Sequence, residues 1–103
     1  MIESDLQKSV IQYLTIKHIF HYRQNSGAIV TERKGKKGFY RFTSMNGLPD
    51  IVCVYRGQYV GLEMKSNKGK LSENQIMFRE KLEQAGGKYI EVRDLDTIIK
   101  LFP

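Results

Sequence analysis

The sequence predicts an α/β sandwich in which helices flank a mixed central β-sheet. Three observations favour this class: apolar residues recur at helical spacing near the start, two strand-length apolar runs fill the middle, and a capped helix precedes a late strand. The predicted order is helix, strand, candidate β-hairpin insertion, two strands, helix, strand and helix. The chain has 103 residues and no recognisable linker or repeat, so we expect one domain, 1–103, whose modest core needs no disulfides.

A first helix is predicted at the start of the chain. The positions at helical spacing are Glu3, Gln7, Val10 or Ile11, and Leu14, with a second set at Leu6, Val10 and Tyr13. The first set places two polar side chains, Glu3 and Gln7, on the same stripe as apolar residues. A carboxylate in the first turn is also favoured by the helix dipole, so Glu3 has a structural as well as a functional interpretation.

After this helix, residues 19–24 alternate as a strand that includes Arg23, and Asn25-Ser26-Gly27 is typical of a turn. The segments from Ile29 to Thr31 and from Phe39 to Phe42 are the two arms of a candidate hairpin.

A basic segment lies at the tip of this candidate hairpin. It contains Arg33, Lys34, Lys36 and Lys37 and is followed by Arg41. The whole chain carries 17 Lys and Arg against 11 Asp and Glu, and its net charge of +6 favours a polyanionic partner. A solvated, flexible loop is the alternative interpretation. We expect the segment to be mobile, as in such a loop, and we expect its charges to serve as an arm that contacts phosphates.

The single cysteine, Cys53, cannot form an internal disulfide, and its place in an apolar strand favours a packed, inert thiol. The sequence shows no signal peptide, membrane-spanning stretch or recognisable sorting motif. Cysteine usage of this kind suits a reducing compartment. We therefore expect an intracellular, cytoplasmic protein, located in the host cytoplasm if it is viral.

The middle of the chain predicts a β-hairpin. Its strands are the runs from Ile51 to Tyr55 and from Tyr59 to Lys65, and Arg56-Gly57-Gln58 separates them. A two-residue turn at Gly57-Gln58 and a four-residue turn from Arg56 to Tyr59 align the strands in the same way. A three-residue loop changes that alignment unless a bulge restores it.

Three charged side chains share one face of this hairpin. With either aligned turn, Asp50 lies opposite Lys65, and Glu63 lies one diagonal away on the same face, within about 7 to 8 Å. Charged strand residues usually face solvent, which is the plain interpretation. These three side chains, however, lie at the ends of runs that are otherwise almost wholly apolar, and grouped carboxylates need a partner. A divalent metal would satisfy them.

Beyond the hairpin, a polar loop from Ser66 to Leu71 carries Lys68 and Lys70. A capping box follows, with Ser72 as the N-cap and Gln75 as the N3 residue, so capping alone explains Gln75. The remaining predicted features are a helix end at Gly86-Gly87, a strand from Lys88 to Val92, and a last helix that starts at Asp94 or Asp96 and runs through Leu101.

Pro49-Asp50 followed by Glu63-Met64-Lys65 resembles the PD-(D/E)xK nuclease motif, and the wider sequence resembles the VRR-NUC (virus-type replication-repair nuclease) domain. The matching positions span nearly the whole chain: Glu3, Gln7, Arg23 to Gly27, Gly47, Gly69 to Ser72, Gln75 and Ala85 to Gly87. The resemblance implies a restriction-endonuclease-like sandwich with a mixed central sheet.

The resemblance also implies a metal-dependent nuclease. The ligands of Mg²⁺, for which Mn²⁺ would substitute, are then Asp50, Glu63, the backbone carbonyl of Met64 and, directly or through water, Glu3. Lys65 positions the attacking water or stabilises developing charge, and Gln75 orients Lys65 or the water. A free lysine is protonated at neutral pH, so we favour the electrostatic role of Lys65 over that of a general base.

The partner implied by the resemblance is DNA, of the branched kind handled in repair and recombination, such as four-way junctions or flaps. The expected contacts are Arg23, Asn25, Ser26, Arg33, Lys34, Lys36, Lys37, Arg41, Lys68 and Lys70. Stand-alone members of the family resemble dimeric enzymes, so we expect a homodimer, with a monomer as the alternative. Two other functions stay open: a catalytically silent nucleic-acid-binding module, and a basic surface used for protein contact alone.

Overall fold

The computed structural model describes residues 2–24, 28–33, 36–41 and 46–103, and for residues 28–33 and 36–41 it describes the backbone only. The elements are α1 (Glu3–Ile16), β1 (His21–Arg23), β2 (Ala28–Arg33), β3 (Lys36–Arg41), β4 (Ile51–Tyr55), β5 (Gln58–Met64), α2 (Glu73–Gln84), β6 (Lys88–Val92) and α3 (Leu95–Leu101). This is the predicted order, with the hairpin insertion present. In the part of the chain so described, no helix has the length and apolar character needed to cross a membrane.

A mixed four-stranded sheet lies at the centre, in the order β1-β4-β5-β6. β1 and β5 both run antiparallel to β4, whereas β6 runs parallel to β5. The parallel pair needs a long crossover, which α2 provides. β2 and β3 pair in a separate two-stranded sheet, and the predicted basic segment begins at the end of β2 and continues into β3.

The hydrophobic core lies between one face of the sheet and helices α1 and α3. α1 contributes Leu6, Val10 and Leu14. The rest of the buried core consists of Ile51, Cys53, Val60, Leu62, Met64, Val92, Ile98 and Phe102. The buried stripe of α1 therefore combines positions from both predicted sets. Burial raises the pKa of the Cys53 thiol to about 11, as expected for a packed, inert cysteine.

The turn of the β4–β5 hairpin differs from the predicted one. Tyr55 pairs with Gln58, so the turn residues are Arg56 and Gly57, with φ angles of 52° and 78°. Two positive φ angles are typical of a type I′ turn, whose twist matches that of the strands it joins. The predicted turn at Gly57-Gln58, and its four-residue alternative, are therefore wrong by one residue.

This shift changes which charged residues face each other. Ile51 pairs with Leu62, and the same register continued by one residue sets Asp50 opposite Glu63. Lys65 is then the diagonal neighbour, whereas the prediction placed Lys65 opposite and Glu63 on the diagonal. The two alignments differ by two residues, which leaves the parity of the side chains unchanged. The three charges consequently still share one face.

α2 covers the other face of the sheet, where Phe78 packs against Tyr89 with ring centroids 5.8 Å apart. Its first turn lies directly against Gly47, because a Cβ atom there would be 2.2 Å from the carbonyl oxygen of Asn74. Gly47 also has a φ of +80°, which glycine adopts without strain. The Tyr89 hydroxyl donates to the Gly47 carbonyl at 3.2 Å. These contacts of Gly47 fix the loop before β4 against the start of α2.

The predicted helix ends are confirmed. Ser72 Oγ accepts a hydrogen bond from the Gln75 N–H, and Gln75 Oε1 accepts one from the Ser72 N–H, which completes the capping box of α2. Gly86, with a φ of 96°, follows the end of the same helix. Of the two candidate caps of α3, Asp94 is the one used.

Candidate active site

Asp50 and Glu63 lie opposite each other on the face of the sheet that α2 covers. Opposite side chains of neighbouring strands have Cβ atoms about 5 Å apart. Gly61, two residues before Glu63 on the same face, makes this approach possible. A Cβ atom at Gly61 would lie 2.7 Å from Cγ of Pro49, so the proline ring occupies the space that a side chain would need. The Pro49-Asp50 pair can therefore pack directly on β5.

Asp50 is held by backbone N–H donors from β5 and from Gln24, the residue after β1. The Met64 N–H donates to Asp50 Oδ2 at 2.8 Å, and the Gln24 N–H donates to the Asp50 carbonyl at 2.8 Å. In a β-ladder, the N–H and C=O of one residue face the same neighbouring strand. We therefore expect the Met64 carbonyl to lie on the side of β5 that Asp50 occupies.

Glu63 is buried, with only 6% of its surface exposed. Its Oε2 lies 3.6 Å from Lys65 Nζ, whereas its Oε1 has no hydrogen-bond partner among the residues described. Burial, followed by the charge of Asp50, raises the pKa of Glu63 to about 7, although Lys65 and Gln75 act to lower it. An unpaired buried carboxylate oxygen is energetically costly. This oxygen is therefore well suited to contact a cation.

Burial also raises the pKa of Asp50, and the charge of Glu3 contributes in the same direction. The Met64 N–H and the Lys65 ammonium act against this shift. Two neighbouring carboxylates repel each other when both are ionised, and a nearby positive charge favours their ionised forms. A divalent cation between Asp50 and Glu63 would therefore relieve an unfavourable arrangement that Lys65 relieves only in part.

Gln75 belongs to the capping box and also affects the pKa of a carboxylate in the cluster. Its Oε1 accepts the Ser72 N–H at 2.8 Å, and its side chain acts to lower the pKa of Glu63. The amide oxygen is engaged by the cap, and the same amide carries an NH₂ group that can donate. The two interpretations of Gln75, capping and a role in the site, are thus compatible.

Glu3 contacts the chain immediately after Lys65. Its Oε1 accepts the N–H of Ser66 at 3.0 Å, and its charge contributes to the raised pKa of Asp50. The N-cap of α1, Ile2, makes no side-chain hydrogen bond to the helix, so a first-turn carboxylate still stabilises this helix end. Glu3 therefore joins α1 to the border of the cluster and keeps its structural role.

The predicted DNA contacts fall into three groups. Exposed side chains on described surfaces belong to Arg23, Lys68 and Lys70. Residues that lie in β2 or β3, where only the backbone is described, are Arg33, Lys36, Lys37 and Arg41. Outside the described residues lie Asn25, Ser26 and Lys34.

Two residues near the cluster were missed from the sequence. Tyr89 has a pKa raised by burial and then by the nearby carboxylates, and Arg93 donates to two carbonyls of the loop after Lys65. Both come from the β6 region, where Glu91 pairs with Glu63 in parallel register. The alternation of Tyr89, Glu91 and Arg93 was a usable signal for a common face. The register itself has no local sequence signal.

A solved structure described as a VRR_NUC domain is similar to this fold. It matches with a TM-score of 0.65 at 18% sequence identity, over 96% of this chain and 91% of that one. No family model matches the sequence, and no curated protein matches it. At this identity the likeness concerns the fold alone, and it confirms the predicted restriction-endonuclease-like sandwich. The chain therefore has the fold of a VRR-NUC domain.

Proposed function

We propose that this chain is a metal-dependent DNA endonuclease that hydrolyses phosphodiester bonds. The observation that supports this most strongly is the unpartnered Oε1 of the buried Glu63, opposite the Asp50 carboxylate. Carboxylate oxygens are the ligands that Mg²⁺ prefers in proteins. A nuclease-like fold that brings the motif residues to one face supports the same chemistry.

The residues present fit a single Mg²⁺, and Mn²⁺ has similar requirements. Asp50 and Glu63 supply two carboxylates, and the Met64 carbonyl is the expected third donor. Across the described ranges, no three His, Cys, Asp or Glu side chains form a ligand cluster. Mg²⁺ commonly keeps several waters and is bound through one or two carboxylates, so this set suits it. Glu3, which is engaged with the Ser66 N–H, would act through water.

When bound, Mg²⁺ polarises the scissile phosphate and lowers the pKa of a coordinated water. The chain's own contribution is charge and orientation. Lys65 places an ammonium group beside Glu63, where it would stabilise negative charge that develops on the phosphate. Gln75, itself fixed by the helix cap, would orient Lys65 or the attacking water.

We further propose that the substrate is branched DNA, such as four-way junctions or flaps, and that the enzyme is a homodimer. One metal site cuts one strand per visit, and a two-fold dimer would supply two sites. α2 exposes Ile76 and Met77, and exposed apolar patches often mark contact surfaces. This favours a dimer contact through the helices, with the β2–β3 hairpin as the other candidate.

An assay of the purified protein tests the proposal. Labelled single strands, duplexes, flaps and four-way junctions are incubated with Mg²⁺, with Mn²⁺ or with EDTA. Cleavage that requires a metal ion and disappears in Asp50→Asn supports a nuclease. Binding without cleavage would instead support a silent nucleic-acid-binding module, and the absence of both would leave protein contact as the role of the basic surface.

A further inference from the structure

The turn that follows Lys65 is held by hydrogen bonds from elements distant in sequence. The Gly69 N–H donates to the Ser66 carbonyl at 3.0 Å, which closes the turn. Arg93 spans both ends of it, since Nη1 donates to the Ser66 carbonyl and Nη2 donates to the Gly69 carbonyl at 2.7 Å. Glu3 of α1 accepts the Ser66 N–H at 3.0 Å. The Ser66 backbone is thus fixed between α1 and the end of β6.

Arg93 is itself held in place. Its Nη2 lies 3.2 Å from Oε1 of Glu91, and both side chains are about one-third exposed. The Lys65 N–H donates to the Val92 carbonyl at 2.9 Å, which sets Arg93 next to the start of the turn. A planar guanidinium can donate to two acceptors at once in a fixed fork. Lysine in its place would keep the charge and lose the fork.

The turn also lies beside the Lys65 side chain. A Cβ atom at Gly69 would lie 3.5 Å from Lys65 Cδ and 3.2 Å from Ser66 Oγ, so the glycine backbone lies close to the lysine stem. A lysine side chain has high rotational freedom, and its ammonium must stay near Glu63 to act there. The backbone of this turn, beside the lysine stem, limits that rotational freedom.

We infer that Arg93 is a positioning residue, which holds the Ser66–Gly69 turn against Lys65 and thereby keeps the lysine ammonium beside Glu63. The catalytic consequence rests on the proposed function, whereas the hold on the turn does not. Misplacement of a catalytic group by about 1 Å can lower a rate on the order of 100-fold. Arg93→Lys should therefore lower kcat by about 100-fold and raise KM by only a few-fold, because the turn also carries Lys68, an expected DNA contact whose charge is kept.

The test uses the full chain and two independent readouts, amide hydrogen exchange and cleavage kinetics. In Arg93→Lys, exchange at the Ser66 and Gly69 amides should accelerate by about tenfold or more, while exchange at the core amide of Leu62 stays as in the wild type. Arg56→Lys, at the far end of the β4–β5 hairpin, is the matched control and should change neither readout. Arg93→Gln serves as a second variant if the lysine variant folds poorly.

Faster exchange at both turn amides, together with a kcat loss much larger than any change in KM, supports the inference. Unchanged exchange overturns it, and so does a loosened turn with wild-type kcat. If the wild-type protein cleaves no DNA at all, the proposed function fails, and the exchange measurement alone then decides whether Arg93 holds the turn.

Discussion

The buried Glu63 predicts a pH-dependent loss of stability in the metal-free protein. Its pKa is raised from an ordinary 4.5 to about 7 in the folded state. The folded-state pKa is the higher one, so this group's stabilising contribution is fully present below pH 4.5 and is lost as the pH rises through 7. A shift of this size corresponds to about 3 kcal/mol. Glu63→Gln removes the titration and should therefore be more stable than the wild type at pH 8.5 by about 2 to 3 kcal/mol, with little difference at pH 4.5.

Urea unfolding in EDTA between pH 4.5 and 8.5 measures this difference. Glu80→Gln, an exposed carboxylate on α2, is the matched control and should follow the wild-type curve. Mg²⁺ added at pH 8.5 should stabilise the wild type more than Glu63→Gln, because a ligand stabilises the folded state that binds it. Parallel stability curves for the wild type and Glu63→Gln over the whole range would contradict a raised pKa of Glu63 that arises from its burial.

Three further predictions concern packing, DNA binding and assembly. Gly47→Ala should lower the free energy of unfolding by more than about 2 kcal/mol in urea titrations, because the backbone of Asn74 fills the space that a Cβ would need. Gly57→Ala is the control: Gly57 has a similar φ but open space around it, so the change should lower the free energy of unfolding by about 1 kcal/mol. Equal losses for the two variants would show that the contact with Asn74 does not matter. The basic segment should contribute DNA affinity that does not depend on the base sequence, so its replacement by alanine should flatten the salt dependence of DNA binding. Titrations at several salt concentrations with the triple variant Lys34→Ala, Lys36→Ala and Lys37→Ala measure this effect. An unchanged salt slope would show that the segment does not contact phosphates. Light scattering at micromolar concentration should give the mass of a dimer, and a monomer mass that persists with branched DNA would end that proposal.

The common face of Asp50, Glu63 and Lys65 could be predicted from the sequence because side-chain parity survives a register shift of two residues. The turn could not be assigned correctly. Arg56 adopts a φ of 52°, which residues other than glycine seldom do, so the sequence favoured a turn that began at the glycine. The Arg56 guanidinium lies 5.1 Å from the Tyr55 ring centroid, a contact that is invisible before the fold is known.

Elsewhere too, features formed by neighbours in sequence could be predicted, whereas features formed by distant residues could not. The capping box at Ser72 and Gln75 involves neighbours in sequence, so it could be recognised from the residue types alone. The contacts of Arg93 depend on the parallel register of β5 and β6. These strands are joined by a long crossover, so no turn residue encodes their register. Glu3 is intermediate, because its helix was predictable, whereas its bond to Ser66 required the tertiary structure.

The most direct test of the account is the cleavage rate of labelled branched DNA in Mg²⁺ by the wild type and by three single variants, Asp50→Asn, Glu63→Gln and Lys65→Ala. We predict that the wild type cleaves only with the metal and that each variant lowers the rate by about 1,000-fold or more while keeping its fold and most of its DNA affinity in Ca²⁺. Wild-type turnover by any of the three, once contaminating nuclease is excluded, would contradict the assignment of that residue, and turnover by all three would contradict the site.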